Sequence, residues 1–351
     1  MTTVDPDIGS LLTTPPPAIS QQEACAIAKT TFGLTGSLKQ LTSERDVNFL
    51  LRADDGKGYV LKFTNEMEPE EQTDFQTKAL LHLEKTAPSL RVPRAVPTLS
   101  GELWQELENG SRARLLSYVE GSLSSTLPKS PNLAIAVATA GAKLVNALKE
   151  FAHPGADHYL IWDIKNAGTL RSMLPLIEEA EQRGLVETVI DAFDERIAPR
   201  LDNLPWQVIH GDLNPQNLVA EDETDLEIGV LDFGDMVRSP RICELAIAAG
   251  YQLDFSDVGA SLIRFLARWH SICPLTPAEV ELSADFVAAR FATIITVANW
   301  RAQRYPENRA YITRNLALAS NGIRHLTNLD TNGLYEALAD RAEAKPHKEM
   351  S

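Results

Sequence analysis

Side chains alternate between two faces over a short stretch near the start of the chain. From Tyr59 to Phe63, alternate side chains form an apolar face, and Lys62 lies on the opposite face. The mainly apolar stretch Asn48–Leu51 is also typical of a strand, and the turn residues Asp54–Gly56 separate the two. Because a period of two is typical of half-buried strands, this pattern predicts two neighbouring antiparallel strands.

A second pair of strands and two helices complete the predicted N-terminal region. The strands Glu102–Leu107 and Arg112–Val119 flank Asn109–Gly110, a dipeptide that favours the tight turn of a hairpin. Helical periodicity predicts a short amphipathic helix over Gln21–Phe32 and a longer helix over Glu71–Lys85. We therefore expect a small sheet with helices packed against it.

Helical periodicity dominates the chain after Gly121. Ser130 followed by Pro131 is typical of a helix N-cap and first helical residue. Further helices are predicted over Pro240–Leu253, Pro277–Arg304 and Glu307–Leu326.

The pattern as a whole predicts an α+β fold with two lobes. Residues 19–118 would form a small, sheet-rich N-lobe, and residues 119–340 a larger, mainly helical C-lobe. The boundary is expected in a hinge at Ser117–Gly121. Residues 1–18, which are rich in proline and poor in apolar anchors, and residues 341–351 are predicted to be disordered tails.

Composition narrows the class of partner. The 351 residues carry a formal net charge of -15, which argues against nucleic acid and anionic membranes and favours cationic or zwitterionic small molecules. The three cysteines lie far apart and lack metal-ligand spacing, so we expect free thiols in the cytoplasm. We find no signal peptide and no apolar run long enough to span a membrane.

The strongest chemical signal is the segment His210–Asn217, followed fifteen positions after its end by Asp232-Phe233-Gly234. Short strand patterns precede both parts. In phosphoryl transfer, one Asp orients the attacking hydroxyl group while an Asn and a second Asp hold Mg²⁺. The spacing predicts those roles for Asp212, Asn217 and Asp232. Either half alone is equally consistent with an ordinary Asx turn, but their combination favours phosphotransfer.

These motifs resemble those of the aminoglycoside phosphotransferase and choline kinase superfamily. The resemblance runs from about Gly33 to about Arg309 and implies a bilobal, protein-kinase-like fold with Mg²⁺ and ATP or GTP as the phosphate donor. Four more segments are similar to the branch that contains hydroxylysine kinase and aminotransferase-fused phosphotransferase domains. They are Ser43–Phe49, Val92–Leu99, Tyr159–Asp163 and Asp232–Val237.

The resemblance assigns the nucleotide to the N-lobe and the hinge. Lys62 is expected to reach the α- and β-phosphates, and the backbone at Ser117 and Val119 to hold the base. The family's lysine partner aligns with Asp74, and Glu70 and Glu71 are alternatives. Ser43 and Arg45 take the place of a glycine-rich loop over the phosphates, although a charged surface turn is an equally good interpretation.

The acceptor is predicted to be a small molecule. The helix expected at about Pro240 leaves no room for an activation segment after Asp-Phe-Gly, so a peptide would have no platform. If the acceptor is an amino acid, Asp163 or Asp235 would receive its ammonium group and Arg290 its carboxylate. Candidate residues for its pocket are Trp162, Asp163, Asp235, Arg290 and Trp300. His210 and Glu244 are predicted to brace the catalytic loop.

The leading hypothesis is therefore a kinase acting on the hydroxyl group of an amino alcohol or hydroxy amino acid, with hydroxylysine as the first candidate. Homoserine, choline, ethanolamine or an aminoglycoside would suit the same chemistry. A nucleotide-binding pseudokinase is the alternative from another class, and the presence of Lys62, Asp212, Asn217 and Asp232 argues against it.

Overall fold

The computed structural model describes residues 14–43, 45–221 and 226–327, together with residues 329, 334, 336 and 338. Its N-terminal half contains an antiparallel sheet in the order β1-β2-β3-β6-β4, with β5 paired to β6. These strands are β1 (Gly36–Leu41), β2 (Val47–Ala53), β3 (Gly58–Phe63), β4 (Ala95–Val96), β5 (Gln105–Glu106) and β6 (Arg112–Ser117).

The first helix, α1 (Gln21–Phe32), covers one face of this sheet. Ala24 and Ala28 on the helix are buried together with Phe49, Leu61 and other apolar side chains of β2, β3 and β6. Ser20 and Glu23 form a reciprocal capping box at the start of α1. Gly33 ends the helix in the left-handed region, at φ 69°, where a residue without Cβ avoids strain.

The second helix, α2 (Glu70–Thr86), joins the N-lobe to the core of the C-lobe. Its residues Phe75, Ala79 and Leu83 are fully buried at a spacing of four. They belong to the same apolar cluster as the C-lobe helices. The helix therefore has a fixed position between the sheet and the larger lobe.

Helices form most of the C-lobe. Ser130 caps α3 and accepts a hydrogen bond from the N–H of Leu133. Thr276 and Glu279 form a capping box at the start of the long helix α7. The helices are α3 (Pro131–Ala147), α4 (Ala180–Ala192), α5 (Ile242–Gln252), α6 (Val258–His270), α7 (Pro277–Arg304), α8 (Arg309–Ile312) and α9 (Leu316–Leu326).

Two small sheets lie among these helices and carry the catalytic segments. One consists of β8 (Trp206–Ile209) paired with β11 (Val237–Pro240). The other has the order β10-β9-β7, with β7 (Ser122–Leu123), β9 (Leu218–Ala220) and β10 (Ile228–Val230). The loop after β8 and the loop after β10 each follow a strand that is held in a sheet. The two loops lie on neighbouring sides of one cleft.

The predicted α+β architecture is confirmed, and several local predictions need correction. The hairpin at Asn109–Gly110 is present, but its first strand is only β5. The helix predicted over Glu307–Leu326 is broken, because α8 ends at Ile312 and α9 begins only at Leu316. The strand β1 and the helices α4 and α6 were not predicted individually. Residues 1–13 and 341–351 of the predicted tails lie outside the described residues.

Candidate active site

A buried framework holds the loop that follows β8. His210 is fully buried; its Nδ1 accepts from the N–H of Asp212, and its Nε2 donates to the carbonyl of Leu231 at 2.8 Å. Glu244 at the start of α5 accepts from the N–H groups of His210 and Gly211. Both residues brace the loop, as predicted. Gly211 has φ 81°, and a Cβ there would lie 2.3 Å from the carbonyl oxygen of Asp235.

Asp212 lies at the centre of a hydrogen-bond network in this loop. Its Oδ2 accepts from Asn214 at 2.7 Å and from the Nδ2 of Asn217 at 2.8 Å. Its Oδ1 pairs with the buried guanidinium of Arg290 at 3.0 Å. Burial raises the pKa of Asp212, and the charge of Arg290 opposes that rise. The network fixes the carboxylate in one orientation toward the cleft.

Asp232 faces the same cleft from the loop after β10. It has φ 50° and is the only non-glycine residue with positive φ in the part of the chain that the structure describes. Such a backbone is unfavourable for a residue with Cβ and recurs at functional sites. Lys62 lies 3.6 Å from its carboxylate and, with Arg45, lowers the pKa of Asp232 to about 2 against the effect of burial. The carboxylate is therefore charged at neutral pH.

The predicted partner of Lys62 is wrong. Asp74 on α2 pairs with His153 at 3.0 Å and lies 4.0 Å from Lys78, so it is engaged with the C-lobe side of the helix. Lys62 instead contacts Asp46, with Nζ and Oδ2 2.7 Å apart. Sequence analysis missed Asp46 as the partner because it precedes the lysine and does not lie on the helix where the family places its acid.

A narrow cavity of about 180 Å³ opens beside Lys62 and extends to the predicted hinge. Ser117 and Val119, the residues predicted to hold a base, line it. The carbonyl of Arg94 accepts from the N–H of Ser117, and within the described residues no hydrogen bond involves the N–H of Val119. Apolar side chains form its walls: Leu41, Val60, Leu80, Pro93, Leu116, Leu231 and Phe233. A flat heteroaromatic ring suits these surroundings.

A larger, polar cavity of about 510 Å³ adjoins it and shares Asn217 and Asp232 with it. Ser43 and Arg45 line its N-lobe side. Arg45 pairs with Asp235 at 2.6 Å, so this pair spans the cleft between the two lobes. Glu44 lies outside the described residues.

The predicted acceptor residues divide into two groups. Trp162, Asp235 and Arg290 line the polar cavity. Arg290 stacks on the ring of Trp162, 5.5 Å from its centroid, and donates to its carbonyl. The Nε of Arg290 is buried and has no hydrogen-bond partner among the described residues. A buried donor of this kind favours an anionic ligand group.

Asp163 and Trp300 do not line this cavity, which corrects their prediction as acceptor residues. Asp163 is buried; it accepts from the hydroxyl of Ser239 at 2.7 Å, pairs with Lys165 and caps the 3₁₀ segment Ile164–Leu176. Its polar atoms are thus occupied by structural contacts. Trp300 packs against the apolar core on α7.

Other cavity residues were missed by the sequence analysis. Asn48 is the cross-strand neighbour of Lys62 and lines both cavities. Its Oδ1 is buried, and no residue in the described part of the chain hydrogen-bonds it. Tyr251 lines the polar cavity together with Arg290. Arg314 contacts the face of Tyr311 and donates to Gln216. Among these residues, only Asn48 had a sequence signal, because it lies in the segment Ser43–Phe49 that resembles the family.

Asn217 and Asp232 offer oxygen ligands that suit Mg²⁺. The Nδ2 of Asn217 donates to Asp212, which fixes the amide. No group of three or more His, Cys, Asp or Glu side chains among the described residues is arranged to hold a metal by itself. The donor set therefore fits an ion that also takes oxygen ligands from a bound phosphate and water.

Comparisons with known proteins agree with this geometry. The family described as "Phosphotransferase enzyme family" matches residues 37–282. The hydroxylysine kinase of Danio rerio is 28% identical over 334 residues, which cover 89% of this chain and 92% of that protein. A microcompartment-associated aminopropanol kinase has a similar structure, with a TM-score of 0.68, 16% identity and coverage of 91% and 98%. An amicoumacin kinase in complex with AMP-PNP, Ca²⁺ and Ami gives a TM-score of 0.67 at 14% identity, with coverage of 90% and 97%.

Proposed function

Because this chain belongs to the phosphotransferase enzyme family and is a small-molecule kinase, we propose that it phosphorylates the hydroxyl group of a small amine-bearing molecule. The donor would be Mg-ATP or Mg-GTP, and hydroxylysine is the leading acceptor. The observation that carries this proposal is the convergence of Asp212, Asn217, Asp232 and Lys62 on one cleft. That set supplies a base, two metal ligands and a phosphate-binding cation.

Asp212 is the proposed base. Its carboxylate is held by Asn214, Asn217 and Arg290, so it can orient an acceptor hydroxyl without reorganising. Its raised pKa makes it a better proton acceptor than an exposed Asp. As the acceptor oxygen bonds to the γ-phosphorus and the bond to the leaving nucleoside diphosphate breaks, the hydroxyl proton passes to Asp212.

The nucleotide is proposed to occupy the narrow cavity and the boundary between the two cavities. Its base would lie between the apolar walls and meet the backbone at Ser117 and Val119, in the predicted hinge at Ser117–Gly121. Its phosphates would reach Lys62, with Ser43 and Arg45 above them. The buried Lys62 ammonium can form charge-assisted hydrogen bonds to phosphate oxygens.

Asn217 and Asp232 are the proposed ligands for Mg²⁺. The ion would neutralise charge on the β- and γ-phosphates when bound. Lys62 lies 3.6 Å from Asp232, so the cation that contacts the phosphates and the carboxylate that holds the metal are adjacent.

Two features favour a hydroxy amino acid as the acceptor. The Danio rerio relative is a hydroxylysine kinase. The polar cavity also places the buried, partly unpaired Arg290 near Asp235, so a carboxylate and an ammonium group have separate partners. Homoserine, choline, ethanolamine and aminoglycosides would use the same catalytic groups and remain the alternatives.

Measurement of ADP and GDP release across a panel of acceptors tests the proposal. The panel contains hydroxylysine, homoserine, choline, ethanolamine and kanamycin, each with Mg-ATP and Mg-GTP. We expect the highest kcat/KM for hydroxylysine. Turnover of choline or kanamycin alone would contradict the amino-acid acceptor and leave the kinase chemistry standing, whereas nucleotide binding without turnover of any acceptor would favour a pseudokinase.

A further inference from the structure

Helix α2 provides no carboxylate to the lysine of the nucleotide site. In the described part of the chain, the acids within ion-pair distance of Lys62 are Asp46 and Asp232, and neither lies on α2. The α2 side chains that line the narrow cavity with Lys62 are Gln76, which is polar but uncharged, and Leu80. The Oε1 of Gln76 accepts from Arg114 at 2.7 Å, and both side chains are buried.

A second cation, Arg114, is the neighbour of Lys62 in the sheet. Register pairs Lys62 on β3 with Arg114 on β6, and like charges at opposed positions are unfavourable. Gln76 gives Arg114 a hydrogen bond but no negative charge. A carboxylate from elsewhere has to compensate for the buried charge of Lys62, because an unpaired buried ammonium is costly.

Asp46 occupies a position built for this contact. It directly precedes β2 and lies two residues before Asn48, the cross-strand neighbour of Lys62. Its Oδ1 accepts from the N–H of Asn65 at 3.1 Å, while its Oδ2 contacts Lys62 at 2.7 Å. Each carboxylate oxygen thus has one defined partner.

Asn65 is itself fixed by the chain around it. It is 1% exposed, and its Nδ2 donates to the carbonyls of Pro15 at 3.0 Å and Arg45 at 3.2 Å. Its Oδ1 accepts from the N–H of Met67 at 3.0 Å. The amide connects the loop that carries Asp46, the end of β3 and the N-terminal segment, so Asp46 has little freedom to turn away from Lys62.

We infer that Asp46 is the positioning residue that directs the Lys62 ammonium toward the nucleotide phosphates, in place of an acid on α2. The inference rests on the proposed function, because Lys62 must contact the nucleotide. Asp46 also lines the polar cavity, but the role inferred for it is exerted through its contact with Lys62. The loop that would cover the phosphates thereby also sets the direction of the lysine beneath them.

Calorimetric binding of Mg-ATP to three single variants tests this inference. Asp46→Asn keeps an acceptor for the N–H of Asn65 but removes the charge, and we expect it to weaken Mg-ATP binding about ten- to a hundredfold, the scale of a charge-assisted hydrogen bond. Asp55→Asn, in the exposed turn between β2 and β3, is the matched control and should leave binding unchanged. Asp74→Asn represents the helix alternative, and a loss confined to that variant would overturn the inference.

A double-variant cycle separates positioning from a general structural role. If Asp46 acts through Lys62, the variant carrying Asp46→Asn and Lys62→Met should bind Mg-ATP within about twofold of Lys62→Met alone. Losses that multiply would overturn the inference, as would an unchanged affinity of Asp46→Asn. Thermal denaturation of each variant checks that the fold is retained.

Further results distinguish the positioning role of Asp46 from a role as a metal ligand and from a failure of the proposed function. A loss in Asp46→Asn that appears with Mg-ATP but not with metal-free ATP would make Asp46 a metal ligand and contradict the positioning role. Intact Mg-ATP binding by the wild-type protein without turnover of any acceptor would contradict the proposed function alone. Wild-type protein that binds no nucleotide would overturn both.

Discussion

At the scale of single residues, the site depends on charges held in defined directions. Asp212 is oriented by two amides and one guanidinium, and Asp232 by an unusual left-handed backbone. Lys62 lowers the pKa of Asp232. The two carboxylates thus lie in different surroundings, which suits one to proton transfer and the other to a metal ion.

Replacement of Asp232 tests the proposed metal ligand. Asp232→Ala should abolish turnover and weaken binding of Mg-ATP far more than binding of metal-free ATP, because only the former uses the carboxylate as an oxygen ligand. Calorimetry with and without magnesium measures the difference. Equal losses under both conditions would remove Asp232 from the metal site.

Replacement of Arg290 tests how the acceptor is recognised. Arg290 contacts Asp212, so Arg290→Ala should lower kcat for any acceptor. It should also raise KM for hydroxylysine about tenfold or more through loss of a charge-assisted bond to the carboxylate, and leave KM for the decarboxylated analogue unchanged. Steady-state kinetics with both acceptors provides the comparison. A similar rise in KM for both would contradict a carboxylate contact.

Sequence spacing was sufficient to predict that Asp212, Asn217 and Asp232 lie together, because they belong to one local segment of strands and loops, whereas Lys62 was assigned to the site by its strand position and the family resemblance. It was not sufficient for contacts between distant segments. Asp46 reaches Lys62 only through the pairing of β2 with β3. Asp163 was a reasonable acceptor candidate by composition, but its buried partners are visible only in the tertiary structure.

At the scale of elements, α5 and α7 fix the catalytic loop from behind. Arg241, just before α5, forms a two-pronged pair with Glu279 on α7, with distances of 2.8 Å to both oxygens. Glu279 is fully buried and also caps α7. This pair holds the start of α5. From there, Glu244 accepts hydrogen bonds from the N–H groups of the catalytic loop.

Loss of the buried pair should cost stability. Glu279→Ala leaves the charge of Arg241 unpaired and removes half of the capping box, so we expect a loss of about 3–5 kcal/mol in the free energy of unfolding. Glu281→Ala in the same helix removes an exposed pair with Arg200 and should cost less than about 1 kcal/mol. Chemical denaturation of both variants measures the contrast. Equal losses would show that the buried pair has no special role.

Elements with strong local signals were predicted well, and weak ones were not. The bounds of α7 matched the prediction, since Thr276 and Pro277 mark its start and apolar periodicity continues to its end. The strand β1 was missed because its side chains are exposed or half-buried and show no apolar face. At the break before α9, the N–H of Thr313 donates to the carbonyl of Arg309, and the N–H of Leu316 donates to the carbonyl of Thr313. The apolar periodicity of the sequence gives no sign of this break.

At the scale of the whole molecule, the two lobes enclose adjoining cavities of different character. The narrow one has apolar walls, and the larger one is lined by charged side chains of both signs. The aminopropanol kinase and amicoumacin kinase structures are only 16% and 14% identical to this chain, so they establish the fold and not the acceptor. The acceptor is argued from side chains such as Arg290 and Asp235.

The whole-molecule properties are consistent with a small-molecule kinase. The net charge of -15 suits an acceptor that bears an amine. Cys25, Cys243 and Cys273 are free thiols. Among the described residues, none of the helices has the length and apolar character needed to cross a membrane.

The most direct measurement is ³¹P NMR of hydroxylysine incubated with Mg-ATP and the wild-type protein, with Asp212→Asn as the matched control. We predict a phosphomonoester signal that grows in step with ADP. In the Asp212→Asn variant the rate should fall by about two to four orders of magnitude, the scale of a positioned general base, while Mg-ATP binding is kept. Release of inorganic phosphate alone, or an Asp212→Asn rate above a third of the wild-type rate, would contradict the account.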